Sequence, residues 1–169
     1  MKLSLKRLFH KPPLVLWDID GPLNRFKASG LGADPRFVGV KGDWNSGLFD
    51  SVNHPRWGAE LLALGAKFVW VSNWADEANL VKDFIGLSEP IPHIPLDDYG
   101  DRSWKLSSVK LWVDDYARGA PLIWVDDELH EDAQSWAEER GNTLLIHVDA
   151  AEGWTFEQFS AMKRWLAPR

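Results

Sequence analysis

The chain has 169 residues and a formal net charge of −6, with 45% hydrophobic and 26% charged side chains. That size suits a single domain over 1–169 with a substantial core, and the acidic balance disfavours a general nucleic-acid binder, which would carry a basic stripe. With no cysteine, disulfides, thiolate catalysis and Cys-based zinc sites are excluded, a composition compatible with a cytoplasmic setting.

The amino-terminal arm, Met1 to Lys11, is basic and mildly amphipathic. It has neither an uninterrupted apolar stretch nor a small-residue cleavage site, so it reads as a solvated or packed extension and not as a secretory signal. No segment approaches the ~20 apolar residues that span a bilayer, and no membrane partner is expected. Pro12-Pro13 then sets off the apolar run Leu14-Val15-Leu16-Trp17, which reads as a buried strand reaching roughly to Ile19. Asp18 and Asp20 leave its carboxyl end, where open α/β sheets hold their ligands, and at a spacing of two they point the same way. A core has no use for such a pair, since desolvating an unpaired carboxylate costs several kcal/mol, on the order given by. A metal or an anionic chemistry would offset that cost; a solvated Asp-x-Asp-Gly turn is the plain alternative.

The stretch from Pro22 to Asn53 is rich in glycine and aromatics and has too little helical periodicity for a crossover helix. With Phe37-Val38-Gly39-Val40 as one short strand, it reads as a hairpin or irregular flap (22–53) over the strand ends. A helix is expected from near Pro55 to near Gly65, and Lys67-Phe68-Val69-Trp70-Val71 forms a second strand that delivers Ser72-Asn73-Trp74. Asp76 to Ile85 reads as a helix stopped by Gly86, followed by a proline-bearing segment, Leu87 to Asp101, with room for a short edge strand near His93 to Leu96. A helix over about Trp104 to Tyr116 precedes a further strand, Pro121-Leu122-Ile123-Trp124-Val125, which ends in Asp126-Asp127. Glu131 to Arg140 is a charged helix closed by Gly141, and Thr143 to Val148 is the fifth strand. Thr155 caps the last helix with Gln158 reaching back, and Trp154 packs on Phe159 as a hydrophobic staple.

This alternation is that of an α/β fold, a three-layer Rossmann-like parallel sheet of about five strands with helices on both faces. Right-handed crossovers and a 3-2-1-4-5 strand order put the first strand between the second and fourth. Asp18/Asp20, Ser72/Asn73 and Asp126/Asp127 then meet in one crevice. The eleven tryptophans are scattered. Trp17, Trp70 and Trp124 fall in strands and Trp57, Trp112, Trp136 and Trp165 in helices, as packing residues do, while Trp44, Trp74 and Trp104 lie in or beside loops and suit a pocket wall.

Taken together, the apolar run with Asp18-x-Asp20-Gly21, then Val69-Trp70-Val71-Ser72, a lysine opening a later helix, and Ile123-Trp124-Val125-Asp126-Asp127 resemble the haloacid dehalogenase-like (HAD) superfamily of phosphatases and phosphotransferases over residues 14 to 166. The resemblance, to a compact type without a large cap domain, implies that Asp18 is the nucleophile, forming an aspartyl-phosphate, and that Asp20 serves as general acid and then general base. It implies further that Ser72, with Asn73 beside it, holds phosphoryl oxygens and that Lys105 offsets charge. Mg²⁺ would be held by Asp18, the main-chain carbonyl of Asp20, and Asp126, with Asp127 bonded to it or beside it. The chemistry agrees: a phosphomonoester dianion and a carboxylate repel, so a hard cation with oxygen ligands is required. Lys110 is the alternative to Lys105, which is preferred because it opens the helix. Pro22 departs from the threonine or valine usual after Asp-x-Asp-Gly. With the flap as the only lid, the site would be open unless an oligomer partner closes it.

The expected substrate is a small phosphorylated metabolite such as a sugar phosphate, a nucleotide, or a phosphorylated nucleic-acid end, and phosphotransfer to a second alcohol is a variant of the same chemistry. The competing class is a non-catalytic module of the same fold, against which the presence of both Asp18 and Asp20 argues. Asp97-Asp98 and Asp114-Asp115 follow no apolar strand and read as solvated. The five histidines have no metal-ligand spacing, Gly30-Leu31-Gly32 lacks a dinucleotide fingerprint, and Ser72 lacks a glycine-flanked nucleophile elbow.

Overall fold

In a computed structural model, which describes residues 11–167, alternate side chains of the first apolar run enter two different cores. Residues 1–10 of the basic arm lie outside the described residues. In chain order the elements are β1 (Leu14–Trp17), β2 (Phe37–Lys41), β3 (Ser46–Asp50), α1 (Asn53–Ala63), β4 (Lys67–Trp70), a 3-10 segment (Ala75–Ile85), α2 (Leu106–Tyr116), β5 (Leu122–Asp126), α3 (Glu131–Arg140), β6 (Thr143–His147) and α4 (Phe156–Leu166). The main sheet runs β4-β1-β5-β6, parallel at each pairing. This is the expected α/β architecture, with β1 between the two strands that carry the other polar ends.

The expected edge strand is reduced to one bridge. Trp70 N–H donates to the Pro92 carbonyl at 2.9 Å and Ile94 N–H donates to the Trp70 carbonyl at 2.8 Å, so the segment does lie outside β4. Pro92 and Pro95 have no N–H to extend the ladder, and the sheet has four full strands in place of five. The expected helix after β4 is a 3-10 run, ended by Gly86 at φ 72°. It packs on α1 closely enough that a Cβ on Gly58 would meet the Ile85 carbonyl oxygen at 1.8 Å, so glycine is required there.

Because side chains alternate along a strand, Val15 and Trp17 face one way and Leu16 the other. Val15, Trp17, Phe68, Trp70, Ile123 and Val125 form a core with α1, the 3-10 segment and α4. Leu16, Val69, Leu122 and Trp124 pack against α2 and the start of α3 on the opposite face. Trp17, Trp57 and Trp154 make edge-on contacts with centroids 4.5 and 5.1 Å apart, while Trp57 stacks on Phe159 at 5.4 Å. The start of α4 is as expected: Thr155 and Gln158 exchange a capping-box pair, and Trp154 sits 6.0 Å from Phe159.

Strands β2 and β3 form an antiparallel hairpin, from Phe37↔Asp50 to Lys41↔Ser46, so the flap is a hairpin. Its turn is pinned by the Glu77 carboxylate, which accepts N–H groups from Asp43 (2.6 Å), Trp44 (3.0 Å) and Asn45 (3.0 Å), as well as the Asn45 side-chain amide (2.8 Å). Those donors, the Asn45 side chain foremost, hold Glu77 below the usual carboxylate range. Trp44 is therefore no pocket wall: it stands 90% exposed at the turn, where its main chain is fastened and its ring projects into solvent. Among the described residues, no helix is long and apolar enough to cross a membrane.

His54, in the first turn of α1, is buried beside Trp57 and Trp154, and its Nε2–H donates to the Trp154 carbonyl at 3.2 Å. Burial lowers its pKa from 6.5 to about 4, against the opposing pull of Asp50. The unfolded ring takes up a proton at higher pH than the folded one. The stability conferred by the neutral ring is thus complete above about pH 6.5 and lost as the pH falls toward 4, by up to about 3 kcal/mol. Thermal melts between pH 7 and 4 should show this loss, and His54→Gln should flatten it. A His54→Gln profile parallel to that of the wild type contradicts the assignment.

Candidate active site

Register brings the first two carboxylates together. Trp17 pairs with Val125, so Asp18, the next residue after β1, lies beside Asp126, the last residue of β5. Asp18 N–H continues the ladder by donating to the Val125 carbonyl at 3.0 Å. Lys105 reaches this point from the residue just before α2, and its Nζ donates to Asp18 Oδ2 at 2.5 Å and Asp126 Oδ2 at 2.8 Å. All three side chains are buried. Main-chain and indole donors also reach both carboxylates: Asp18 Oδ1 accepts Ile19 N–H (2.7 Å), Asp126 Oδ2 accepts Trp124 Nε1–H (3.2 Å), and Asp126 Oδ1 accepts Glu128 N–H (3.0 Å), which leaves lone pairs on each for a further partner.

A second tie fixes the loop that delivers Lys105. The Asp132 carboxylate, in the first turn of α3, accepts the Ser103 N–H at 2.9 Å and its hydroxyl at 2.5 Å, and Ser103 Oγ accepts His130 N–H at 2.8 Å. Lys110, the alternative lysine, is exposed on α2 and takes no part in this contact.

The charges at the centre do not balance. Asp18, Asp126 and Asp127 each offer an oxygen, all within 4.8 Å of one another, against one ammonium. Burial pushes the Asp18 carboxyl up to about 8; Lys105 opposes the rise and Asp126 adds to it. Burial works to lower Lys105, but the Asp126 and Asp18 carboxylates outweigh it and hold the ammonium above the ordinary lysine value. Asp127 is raised as well, by burial and then by Asp126. An oxygen-only, carboxylate-rich set of this kind fits a hard divalent cation. Gly21 makes room for the third member: at φ +92° it has a conformation few other residues adopt, and a Cβ there would lie 2.6 Å from Asp127 Cγ.

The Asp20 carboxylate is not part of that cluster. Its Oδ1 accepts Asn24 Nδ2–H at 2.7 Å and its Oδ2 accepts Trp74 Nε1–H at 3.1 Å. Ser72, buried two residues beyond β4, accepts Trp74 N–H on its hydroxyl at 3.4 Å, and Asn73 beside it is exposed.

A crevice of about 310 Å³ is lined by Asp18, Asp20, Ser72, Asn73, Lys105 and Asp127, so these strand-end groups share one space. Trp104 forms part of its wall as expected, its Nε1–H donating to Glu128 at 2.6 Å. Phe26 and Lys27 of the flap and Glu128 also line it. The sequence reading did not single these out, because they stand in aperiodic segments. The one available signal was a cationic Lys27 in the flap beyond an acidic motif. A larger cavity, about 410 Å³, opens at the other end of the sheet near Arg118 and Arg140 and contains none of the strand-end groups. Asp97, Asp98, Asp114 and Asp115 are exposed, as their sequence context suggested.

No family model matches the chain, and no curated protein matches it. Among solved structures it is similar to a candidate 3-deoxy-D-manno-octulosonate 8-phosphate phosphatase from Vibrio cholerae, with 14% identity and a TM-score of 0.49 over 98% of this chain and 89% of that one. A likeness at that level leaves the chemistry to be argued from the crevice itself.

Replacing Lys105 by Met leaves buried carboxylates facing one another without their cation. Breaking a buried pair in this way costs roughly 3–5 kcal/mol. Lys105→Met should therefore melt many degrees below wild type in EDTA and recover in part with Mg²⁺, whereas Lys110→Met should melt as the wild type does. Equal melting temperatures for the Lys105 variant and wild type in EDTA contradict the ion-pair geometry.

Proposed function

We propose that this protein is a Mg²⁺-dependent phosphohydrolase that cleaves phosphomonoesters through a phosphorylated Asp18. The observation that carries the reading is the Lys105 ammonium bonded to both Asp18 and the buried Asp126, with a third carboxylate, Asp127, beside them and with Asp18, Lys105 and Asp127 lining an open crevice. A buried, under-neutralised carboxylate cluster has little structural value, since well-packed apolar residues would stabilise the same space as well or better. A reaction that needs a nucleophile, a fixed cation and a metal at one point gives it a reason.

In this reading a carboxylate oxygen of Asp18 attacks the phosphorus, the bond from phosphorus to the ester oxygen breaks, and the proton of Asp20 goes to the departing alcohol. Water then attacks the phosphorus of the aspartyl-phosphate, Asp20 takes its proton, and inorganic phosphate leaves with the Asp18 carboxylate restored. Asn24 and Trp74 each occupy one acceptor position on the Asp20 oxygens, so a lone pair on either oxygen is left to carry the proton. Lys105 keeps Asp18 aimed and offsets charge that builds on the transferring group, while Ser72 and Asn73 offer hydrogen bonds to its oxygens. Asp18, Asp126, Asp127 and the main-chain carbonyl of Asp20 would hold Mg²⁺, which supplies the positive charge that lets an anion attack an anion. The crevice, with Lys27 and Trp104 at its wall, has a size that suits a small phosphorylated metabolite or a nucleotide.

Hydrolysis of an aryl phosphate should require Mg²⁺ and fall at least a thousandfold in Asp18→Asn. Denatured wild-type enzyme quenched during turnover should carry an acid-stable, hydroxylamine-labile phosphoryl group. Turnover in EDTA, or an active Asp18→Asn variant, contradicts the mechanism; binding of phosphate with no hydrolysis indicates the non-catalytic alternative.

A further inference from the structure

Asn24 is a buried polar residue that takes no part in the bond changes above, and its two ends are committed to different parts of the molecule. Its Nδ2–H donates to Asp20 Oδ1 at 2.7 Å, and its Oδ1 accepts the Leu48 N–H of β3 at 3.2 Å. The polarity of both partners is fixed, a carboxylate on one side and a main-chain donor on the other, so the orientation of the amide is determined. A carboxylate in its place would repel Asp20, and an apolar residue would orphan both contacts.

The turn around it is built for this contact. Gly21 N–H donates to the Asn24 carbonyl at 2.9 Å and Asn24 N–H donates to the Ile19 carbonyl at 2.8 Å, folding the chain so that Asn24 comes back over Asp20. On the hairpin side, a Cβ on Gly47 would stand 2.6 Å from Asn24 Cγ, 2.8 Å from its Nδ2 and 2.8 Å from its Oδ1. The absence of a side chain at position 47 thus leaves the space the Asn24 amide occupies. The same hairpin is held at its turn by Glu77, and the segment carrying Glu77 follows Trp74, whose indole N–H reaches the second oxygen of Asp20 at 3.1 Å.

We propose that Asn24 is the positioning residue for Asp20, and that it couples the aim of this carboxylate to the seating of the β2–β3 hairpin. The inference rests on the phosphohydrolase reading and extends it: the flap orients the acid–base group as well as bordering the crevice. A hairpin displaced from its seat draws Leu48 away from Asn24, and with it the donor that holds Asp20 toward the leaving oxygen. The hairpin and the proton donor move as one unit.

Leaving-group dependence separates this role from a merely structural one. An aryl phosphate expels a stabilised phenolate that needs little protonation, whereas an alkyl phosphate expels an alkoxide that must receive the proton of Asp20. Because kcat/KM covers steps only through departure of the alcohol, it reports the acid step alone. For Asn24→Leu, kcat/KM on glycerol phosphate should fall about tenfold or more beyond the fall on p-nitrophenyl phosphate, a part of what acid–base catalysis contributes. Asp20→Asn serves as the reference for full loss. Gly47→Ala, which alters the identity of no crevice residue but crowds the Asn24 amide, should show the same selective loss on the alkyl ester. It keeps the test valid if Asn24→Leu does not fold. Equal losses on both esters in the soluble variants overturn the positioning role while leaving the phosphohydrolase reading intact. A wild-type protein inactive on both esters removes that reading, and the role of Asn24 with it.

Discussion

One buried ammonium between two buried carboxylates sets the terms for everything around it. Asp18 and Asp126 are adjacent because β1 and β5 pair in a fixed register, and two such anions side by side repel strongly where water is excluded. Lys105 makes their proximity tolerable, and its own arrival depends on the Ser103–Asp132 tie that anchors the start of α2 to α3. The helices on one face and the strand ends of the sheet are thereby linked through a single charged contact. The third carboxylate, Asp127, leaves the cluster with more acidic groups than its one ammonium can offset.

The flap supplies the second constraint. A hairpin of five-residue strands with a mostly exposed outer surface has little apolar area to hold it down. Polar fastenings do that work instead. Glu77 gathers three main-chain N–H groups at the turn, and Asn24 joins the middle of β3 to the loop that carries Asp20. Both fastenings need glycine on the hairpin, since a Cβ on Gly42 would meet the Glu77 carboxylate at 2.7 Å as one on Gly47 would meet Asn24. The stretch that looks irregular in composition is thus closely specified at these few contacts.

The parts legible in the sequence are those with a periodic or local cause. Val15, Trp17, Ile123 and Val125 are read as buried strands because short apolar runs have no other easy place, and polar residues directly after them mark one edge of the sheet. The box at Thr155 and Gln158 is local and reads directly. Other features depend on long-range contacts or on missing donors. The outer strand shrinks to a bridge through Pro92 and Pro95, and Ser46–Asp50, half polar with a glycine, becomes a strand only by pairing with Phe37–Lys41. Whether Ala75–Ile85 winds as α or 3-10 has no clear sequence signature. Phe26 and Lys27 reach the crevice, and Asn24 reaches Asp20, through the path of an aperiodic loop, and a single chain does not display that path.

The central claim is that Asp18, Asp126 and Asp127 form one divalent-cation site beside Lys105. A crystal grown with Mn²⁺ in place of Mg²⁺, with anomalous scattering used to locate the ion, tests it most directly. The account predicts one strong peak within bonding distance of Asp18 and Asp126, with Lys105 still on the Asp18 carboxylate. Occupied manganese elsewhere with this cluster empty, or Asp126 turned away from Asp18, would contradict it.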